Sequence, residues 1–523
     1  MALDITGEGS MGNAYAVGID LGTTNSVVSV FRRGKPETLL IDGRNTLPSV
    51  VSFDDGRIMV GEQAKRRLQV FPESSVASVK RFMGNSSQRY EIQGTSYSPV
   101  DICSLIVGRL IEASSKELET EITNVVVTVP AYFDEAQKLD TKLAGEKVGL
   151  NVLRLIPEPT AAAVAYGLDK GRDQTILVYD LGGGTFDVSI LRVLGNKFQV
   201  LAVEGDSHLG GDDFDEMIVR HLAAAFRNQE GMDLLGTSSK EYRLALQRLK
   251  EEAERAKIEL SAAQESEIII PDLLGRPFNV KITRTEFIDS IRPLLDKTLE
   301  RVDCAVQSAG MTVDEIDRVI LVGGSTRIPV VREMVSEKIK EPYMSERVDE
   351  VVSHGAAIVA ASLYLPEEDL APVEVTNVTA HSLGIEMMKP DYSGVFFQPL
   401  IKKNSSIPCK GGKLGSTVSP YQEEVRMKVY RGEDENPAAN TYLGELVLPI
   451  TKPSKGFIHV AAVFSLDEDG IIHFTAMEMV ESSHTGAYVA SVPADGILND
   501  FDTLDDLVRN GHVRSASVEI KGF

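Results

Sequence analysis

With 523 residues the chain exceeds one typical domain, so two or three are expected, and a hydrophobic share of 43% is ample for real cores. A formal charge of −23 excludes a protein that grips nucleic acid non-specifically, because phosphate backbones need a cationic surface. The longest apolar runs, such as Val125 to Val129 and Val319 to Val322, are strand-sized and too short to span a membrane. Cys103, Cys304 and Cys409 are far apart and odd in number. That argues against a disulfide framework and for a reducing, cytoplasmic compartment. No HExxH or cysteine-histidine cluster points to catalytic zinc, and the GxxxxGK[ST] and GxGxxG nucleotide loops are missing.

In chain order, residues 1–13 (MALDITGEGSMGN) lack the basic and apolar regions of a signal peptide and read as an expression leader or polar tail. Residues 16–31 then read AVGIDLGTTNSVVSVF, an apolar strand, an Asp, a Gly-rich hydroxyl-bearing turn and a second strand. Residues 176–191, ILVYDLGGGTFDVSIL, repeat the pattern. Hairpin turns of this composition expose backbone N–H groups to phosphate oxygens, so Gly22, Thr23 and Thr24 facing Gly182, Gly183, Gly184 and Thr185 would clamp a polyphosphate. Asp20 and Asp180 repel phosphate and are better read as carboxylates that hold Mg²⁺ and its waters. Either hairpin alone is as readily an ordinary turn; the repetition favours the clamp.

A second repeat, ITNVVVTVP at 122–130 and IDRVILVGG at 316–324, supplies a connecting strand for each hairpin. The order implies two related α/β lobes with a cleft between them. Glu254, Lys257 and Ser261 are three and four residues apart, so one helical face can present all three to a ligand. After Leu365 the segment PEEDLAPVEVTNVT is acidic and poor in large apolar residues, and 367–380 reads as a linker between a 14–366 domain and a later one. Short alternating segments over 381–500 point to an antiparallel β-sandwich. In the final 501–523, FDTLDDLVRN reads as one short amphipathic helix and VRSASVEIKGF as a strand.

The strings GIDLGTTNS, VTVPAYF, IPEPTAAAVAYGLDKG, YDLGGGTFDVSI, GDSHLGGDDFD, ERAKIELS and VGGSTRIP resemble, in family order, the heat shock protein 70 (DnaK-like) chaperones. Actin and the sugar kinases share that fold without these strings. The resemblance implies a duplicated, two-lobed actin-like ATPase domain that binds ATP or ADP with Mg²⁺ and K⁺. Asp20, Asp180, Asp187 and Glu158 would surround the metal and the attacking water. Lys80, in SVKRFMG, would reach the γ-phosphate, with Thr185 close by. Asn25 would join Gly22, Thr23 and Thr24 on one side, and Gly210 and Gly211 would approach the phosphates through their backbone. Glu254, Lys257 and Ser261 would hold ribose and adenine, opposite Gly323, Gly324, Ser325, Arg327 and Asp349.

Beyond the linker, SLGIE, IKKNSSIP, VYRGE, LGELVL and DEDGIIHFTA are similar to the family's peptide-binding β-domain. That match implies an apolar cleft lined by Ile385, Met388, Val418, Val425, Met427 and Val460, which an extended peptide enters with main-chain hydrogen bonds. Unfolded polypeptide, a J-domain co-chaperone and a nucleotide-exchange factor are the implied partners, with no nucleic acid and no membrane. Four departures stand out. Val373, Glu374, Val375, Thr376 and Asn377 replace the leucine-rich, Asp-terminated family linker, which predicts weaker docking. Lys138 replaces the usual Arg, Gly415 a bulky apolar residue, and the long helical lid is missing. The function expected is an ATP-hydrolysing chaperone; the alternatives are an actin-like polymerising ATPase and a nucleotide-regulated module without turnover.

Overall fold

In a computed structural model of the chain, residues 15–167, 173–236, 239–365, 370, 372–479 and 482–519 are described; the expected leader and part of the expected linker lie outside them. Two sheets share one plan. In the first, Asp-bearing strand Ala16–Asp20 sits between parallel Asn124–Val129 and antiparallel Asn25–Arg32. In the second, Asp-bearing strand Gln174–Leu181 sits between parallel Arg318–Val322 and antiparallel Phe186–Leu194. The repeated strings of the sequence thus become repeated strand topology. These central strands are buried along almost their whole length, as expected of sheets covered on both faces.

Helices Glu158–Gly167 and Val351–Tyr364 bring the two sheets together. One shared core holds Val126 and Ile156 of the first sheet, Ile176, Val178 and Ile320 of the second, and the alanines of both helices. Small residues make this possible: a Cβ at Gly355 would stand 1.8 Å from the Ala161 carbonyl oxygen. The helix backbones therefore touch, and the turn ends of the two hairpins are held facing each other.

The later part of the chain forms a four-stranded sheet, Val395–Ile401, Leu383–Met388, Glu424–Arg431 and Thr441–Pro449, against a five-stranded one. Their inner faces share a core around Phe464 and Phe474, whose rings lie 4.6 Å apart. This is the antiparallel sandwich the alternating segments predict. Helix Phe501–Arg509 and strand Val513–Glu519 form as expected. That strand pairs with Ile472–Met479, so a division at residue 500 parts a strand from its own sheet. Helix Ser483–Ser491, which the sequence did not announce, is fixed by a Ser482–Thr485 capping box and by burial of Tyr488.

The segment expected to be an open linker contains a strand. Glu374–Val378 pairs in parallel with Lys197–Asp206 and antiparallel with Ser406–Ile407. Among the described residues, no helix is long and apolar enough to cross a membrane.

Candidate functional site

Between the facing hairpins lies a cavity of about 470 Å³, within the range of small-ligand sites. Gly183 packs so closely on the opposite hairpin that a Cβ there would stand 2.0 Å from Thr24 Oγ1. A side chain at this position would force Thr24 to move. Asp20, Gly22, Thr23, Thr24, Asn25, Lys80, Glu158, Asp180, Gly182, Gly183 and Thr185 line the inner part. Glu254, Lys257 and Ser261 line one outer wall from helix Lys240–Ala262, as their spacing predicts. Gly323, Gly324, Ser325, Arg327 and Asp349 line the other. Arg327 pairs with Asp349 at 2.7 Å, and Ser325 Oγ donates to the Gly182 carbonyl at 2.8 Å. Gly184, Asp187, Gly210 and Gly211 stand behind this lining: Gly184 and Gly210 pack on the hairpin turns, and Lys257 Nζ donates to the Gly211 carbonyl.

At the inner end Lys80 is 3% exposed and ion-paired with Glu158. Asp20 accepts from Thr128 Oγ1 at 3.1 Å, and Asp187 from the Tyr132 N–H at 2.8 Å. Burial, then the neighbouring Glu158 carboxylate, pushes Asp20 up to about 7 and Asp187 up to about 8. Asp180 is raised by burial and by the Glu158, Asp187 and Asp20 carboxylates. Burial alone would lower Lys80; the surrounding carboxylates outweigh it and raise the ammonium. Four carboxyl groups against one ammonium leave an excess of negative charge out of water, which a divalent cation would relieve.

Among the described residues no three His, Cys, Asp or Glu side chains are grouped to ligate one ion. Asp20, Asp187 and Glu158 are each turned to a partner of their own, Thr128, Tyr132 and Lys80. The four carboxyl groups thus act on one another and on Lys80 at the inner end of the cavity.

Sequence reasoning missed the apolar part of the wall. Ile258, 63% exposed, lines the cavity beside Lys257, as do Thr46, Ile328 and Val348. The helical spacing that selects 254, 257 and 261 also selects 258; Thr46, in a loop, gives no such signal. The residues expected to form the peptide cleft divide into two groups. Ile385, Met427 and Val460 are buried in the sandwich core with Val425 packed against it, whereas Met388 and Val418 are 47% and 54% exposed.

Comparison with known proteins identifies the family. The family model described as Hsp70 protein matches residues 16–500. The "Chaperone protein DnaK" of Thermus thermophilus is 42% identical over 496 residues, covering 89% of this chain and 78% of the relative. That of Thermosipho melanesiensis is 41% identical over 480 residues at the same coverage. Facing Gly-rich hairpins, a buried lysine among acids and a β-sandwich joined by a strand are thereby placed in one lineage, and the chain belongs to the Hsp70 family of ATP-dependent chaperones.

Proposed function

We propose that the cavity between the two hairpins is where this ATPase binds ATP and ADP, and that two lobes, each built on one of the repeated sheets, close on the nucleotide. The observation that carries the reading is the contact of Gly183 with Thr24 over a buried Lys80–Glu158 pair. Backbone N–H groups of both turns and the hydroxyls of Thr23, Thr24 and Thr185 face phosphate; Lys80 supplies positive charge where phosphoryl transfer spreads negative charge over the γ-phosphoryl oxygens. Glu158 fixes the lysine's rotamer, and Asp187, held by the Tyr132 N–H behind the lining, adds to the negative field that a metal ion and the attacking water would meet. Mg²⁺, held by Asp20 and Asp180 through its waters, would neutralise phosphate charge and polarise the transferred group. A further K⁺ site is carried over from family resemblance alone.

The sandwich binds extended apolar polypeptide, and the strand Glu374–Val378 transmits nucleotide state between the two sites as a reciprocal coupling. J-domain co-chaperones and a nucleotide-exchange factor are its partners in this reading, in a reducing cytoplasm. Gly183→Leu tests the site. It should abolish ADP binding measured by calorimetry, because the new side chain must push the hairpins apart, while the peptide affinity of the sandwich persists. Undiminished ADP binding in that variant would place the nucleotide elsewhere.

A further inference from the structure

Helices Gly211–Glu230 and Lys240–Ala262 pack side by side at the cavity edge. Across them Lys257 Nζ donates to Asp215 Oδ2 at 2.8 Å and to the Gly211 carbonyl at 3.1 Å. An ammonium has three N–H groups, so one remains for the cavity that Lys257 lines. Asp215 does not line that cavity. Its Oδ1 is buried without a hydrogen-bond partner, so among the described residues Lys257 is the one group this carboxylate holds. A free lysine would have to give up rotamer freedom when a nucleotide arrives; an anchored one has already done so.

We infer that Asp215 is a positioning residue for nucleotide binding, acting through Lys257 by fixing its ammonium at the cavity edge. The inference rests on the cavity being the nucleotide site. The competing role is a plain staple between two helices, and the groups around Asp215 make the two distinguishable. Lys257 and Glu254 face it from the neighbouring helix and Asp212 from its own; Glu254 is paired with Lys65 at 2.9 Å, and Asp212 accepts from Ser78 Oγ at 2.8 Å. Burial pushes the Asp215 carboxyl up to about 6, with Lys257 pulling it the other way. Above that pH the carboxylate is charged and holds the lysine. As pH falls through about 6 it takes a proton, its pull on Lys257 weakens, and nucleotide affinity should fall with it.

The experiment measures ADP affinity by calorimetry, and KM and kcat for ATP, between pH 5.5 and 8 on the full chain and on Asp215→Asn, Asp215→Glu and Lys257→Met. Asp215→Asn should raise the ADP Kd and the ATP KM about five- to tenfold at pH 7.5, the order of one net hydrogen bond, with kcat nearly unchanged. The ratio of its Kd to that of the wild type should be constant above pH 7 and shrink toward one at the acid end, since other groups of the site titrate alike in both, and Asp215→Glu should restore part of the loss. Added to Lys257→Met, the Asn substitution should cost nothing more. Wild-type affinity in Asp215→Asn alongside a loss in Lys257→Met overturns the inference and leaves the site reading standing. Equal losses of kcat and kcat/KM at every pH, or additive effects of the two substitutions, mark a staple and overturn it too. No effect of Lys257→Met would remove this wall from the nucleotide site itself.

Discussion

Lys80 concentrates the problem that a phosphoryl-transfer site has to solve before its substrate arrives. Its ammonium lies 5.7 Å from the centroid of the Phe133 ring and is paired with Glu158, in a space where burial and mutual repulsion raise three aspartates. Removing one partner of such a buried pair typically costs about 3–5 kcal/mol unless the stranded acid takes a proton. Protonation is the easier escape here, since Asp20 and Asp187 already sit near 7 and 8. Lys80→Ala should therefore fold with a modest loss of Tm. It should bind Mg·ADP nearly as wild type, because the hairpins still supply their donors, and it should lose single-turnover hydrolysis by orders of magnitude. Wild-type single-turnover rates in Lys80→Ala would remove this residue from the chemistry. The hairpin residues of this inner site were legible in the sequence because glycine, threonine and aspartate at strand ends are chosen for what backbone and carboxylate do, whereas Lys80, Glu158 and Asp187 were named only through the family resemblance. Ile258 and Val348 were not, because an apolar residue on a cavity wall looks like any core residue until the fold places it.

At the scale of elements, the segment after Leu365 shows what composition cannot report. Few large apolar side chains made residues 367–380 read as a linker, yet Glu374–Val378 completes a sheet. Main-chain hydrogen bonds to an exposed strand edge need no particular side chain, so they leave almost no mark on the sequence. The side chains add a second hold: Val375 stands opposite Phe198 and packs, with Val373, against the core shared by the two sheets, while Glu374 pairs with Lys197 at the surface. The predicted weakness of docking therefore turns on two half-buried valines. Val375→Asp should release the strand, since the lost burial and an unpaired carboxylate together cost about 2–3 kcal/mol. Hydrogen exchange of amides 374–378 should then quicken by more than tenfold while strand Gln174–Leu181 stays protected, and peptide should no longer stimulate ATP turnover. Unchanged exchange at 374–378 would mean that the sandwich, and not the strand's own packing, keeps it in place. The repeated hairpins were readable for the opposite reason: buried strands need long apolar runs and their turns need glycine, and both show in the string itself. Helix Ser483–Ser491 and the return of strand Val513–Glu519 to the sandwich rest on tertiary burial, which short polar segments do not advertise.

Over the whole molecule, the sandwich meets the ATPase part largely through charge. Arg431 pairs with Asp134 at 3.0 Å and Glu135 at 2.9 Å, Lys142 with Asp469 at 2.8 Å, and Lys403 with Glu204. In the middle of these pairs His381 packs edge-on against Tyr132, ring centroids 4.5 Å apart. Burial pulls its imidazole down to about 3, Arg431, Lys403 and Lys138 adding to the fall and Asp134 opposing it. The docked arrangement thus requires a neutral ring, whereas an undocked one would titrate near its ordinary 6.5. A group whose pKa is lowered by docking takes up its proton on the undocked side. Docking is then independent of pH above about 6.5 and loses stability steadily as pH falls from there toward 3. Between pH 7.5 and 5.5 the equilibrium should shift toward the undocked form by about tenfold, the ratio set by a site of pKa 6.5 that is proton-free when docked. Energy transfer between dyes on the two parts, in ATP, measures the docked fraction directly. His381→Leu keeps the apolar packing on Tyr132 and should flatten the profile over this range, leaving docking at pH 5.5 as strong as at pH 7.5. Equal docking of the wild type at both pH values would mean that undocking takes up no proton in this range, and full acid sensitivity in His381→Leu would mean that another group takes it up; either outcome leaves His381 a packing residue.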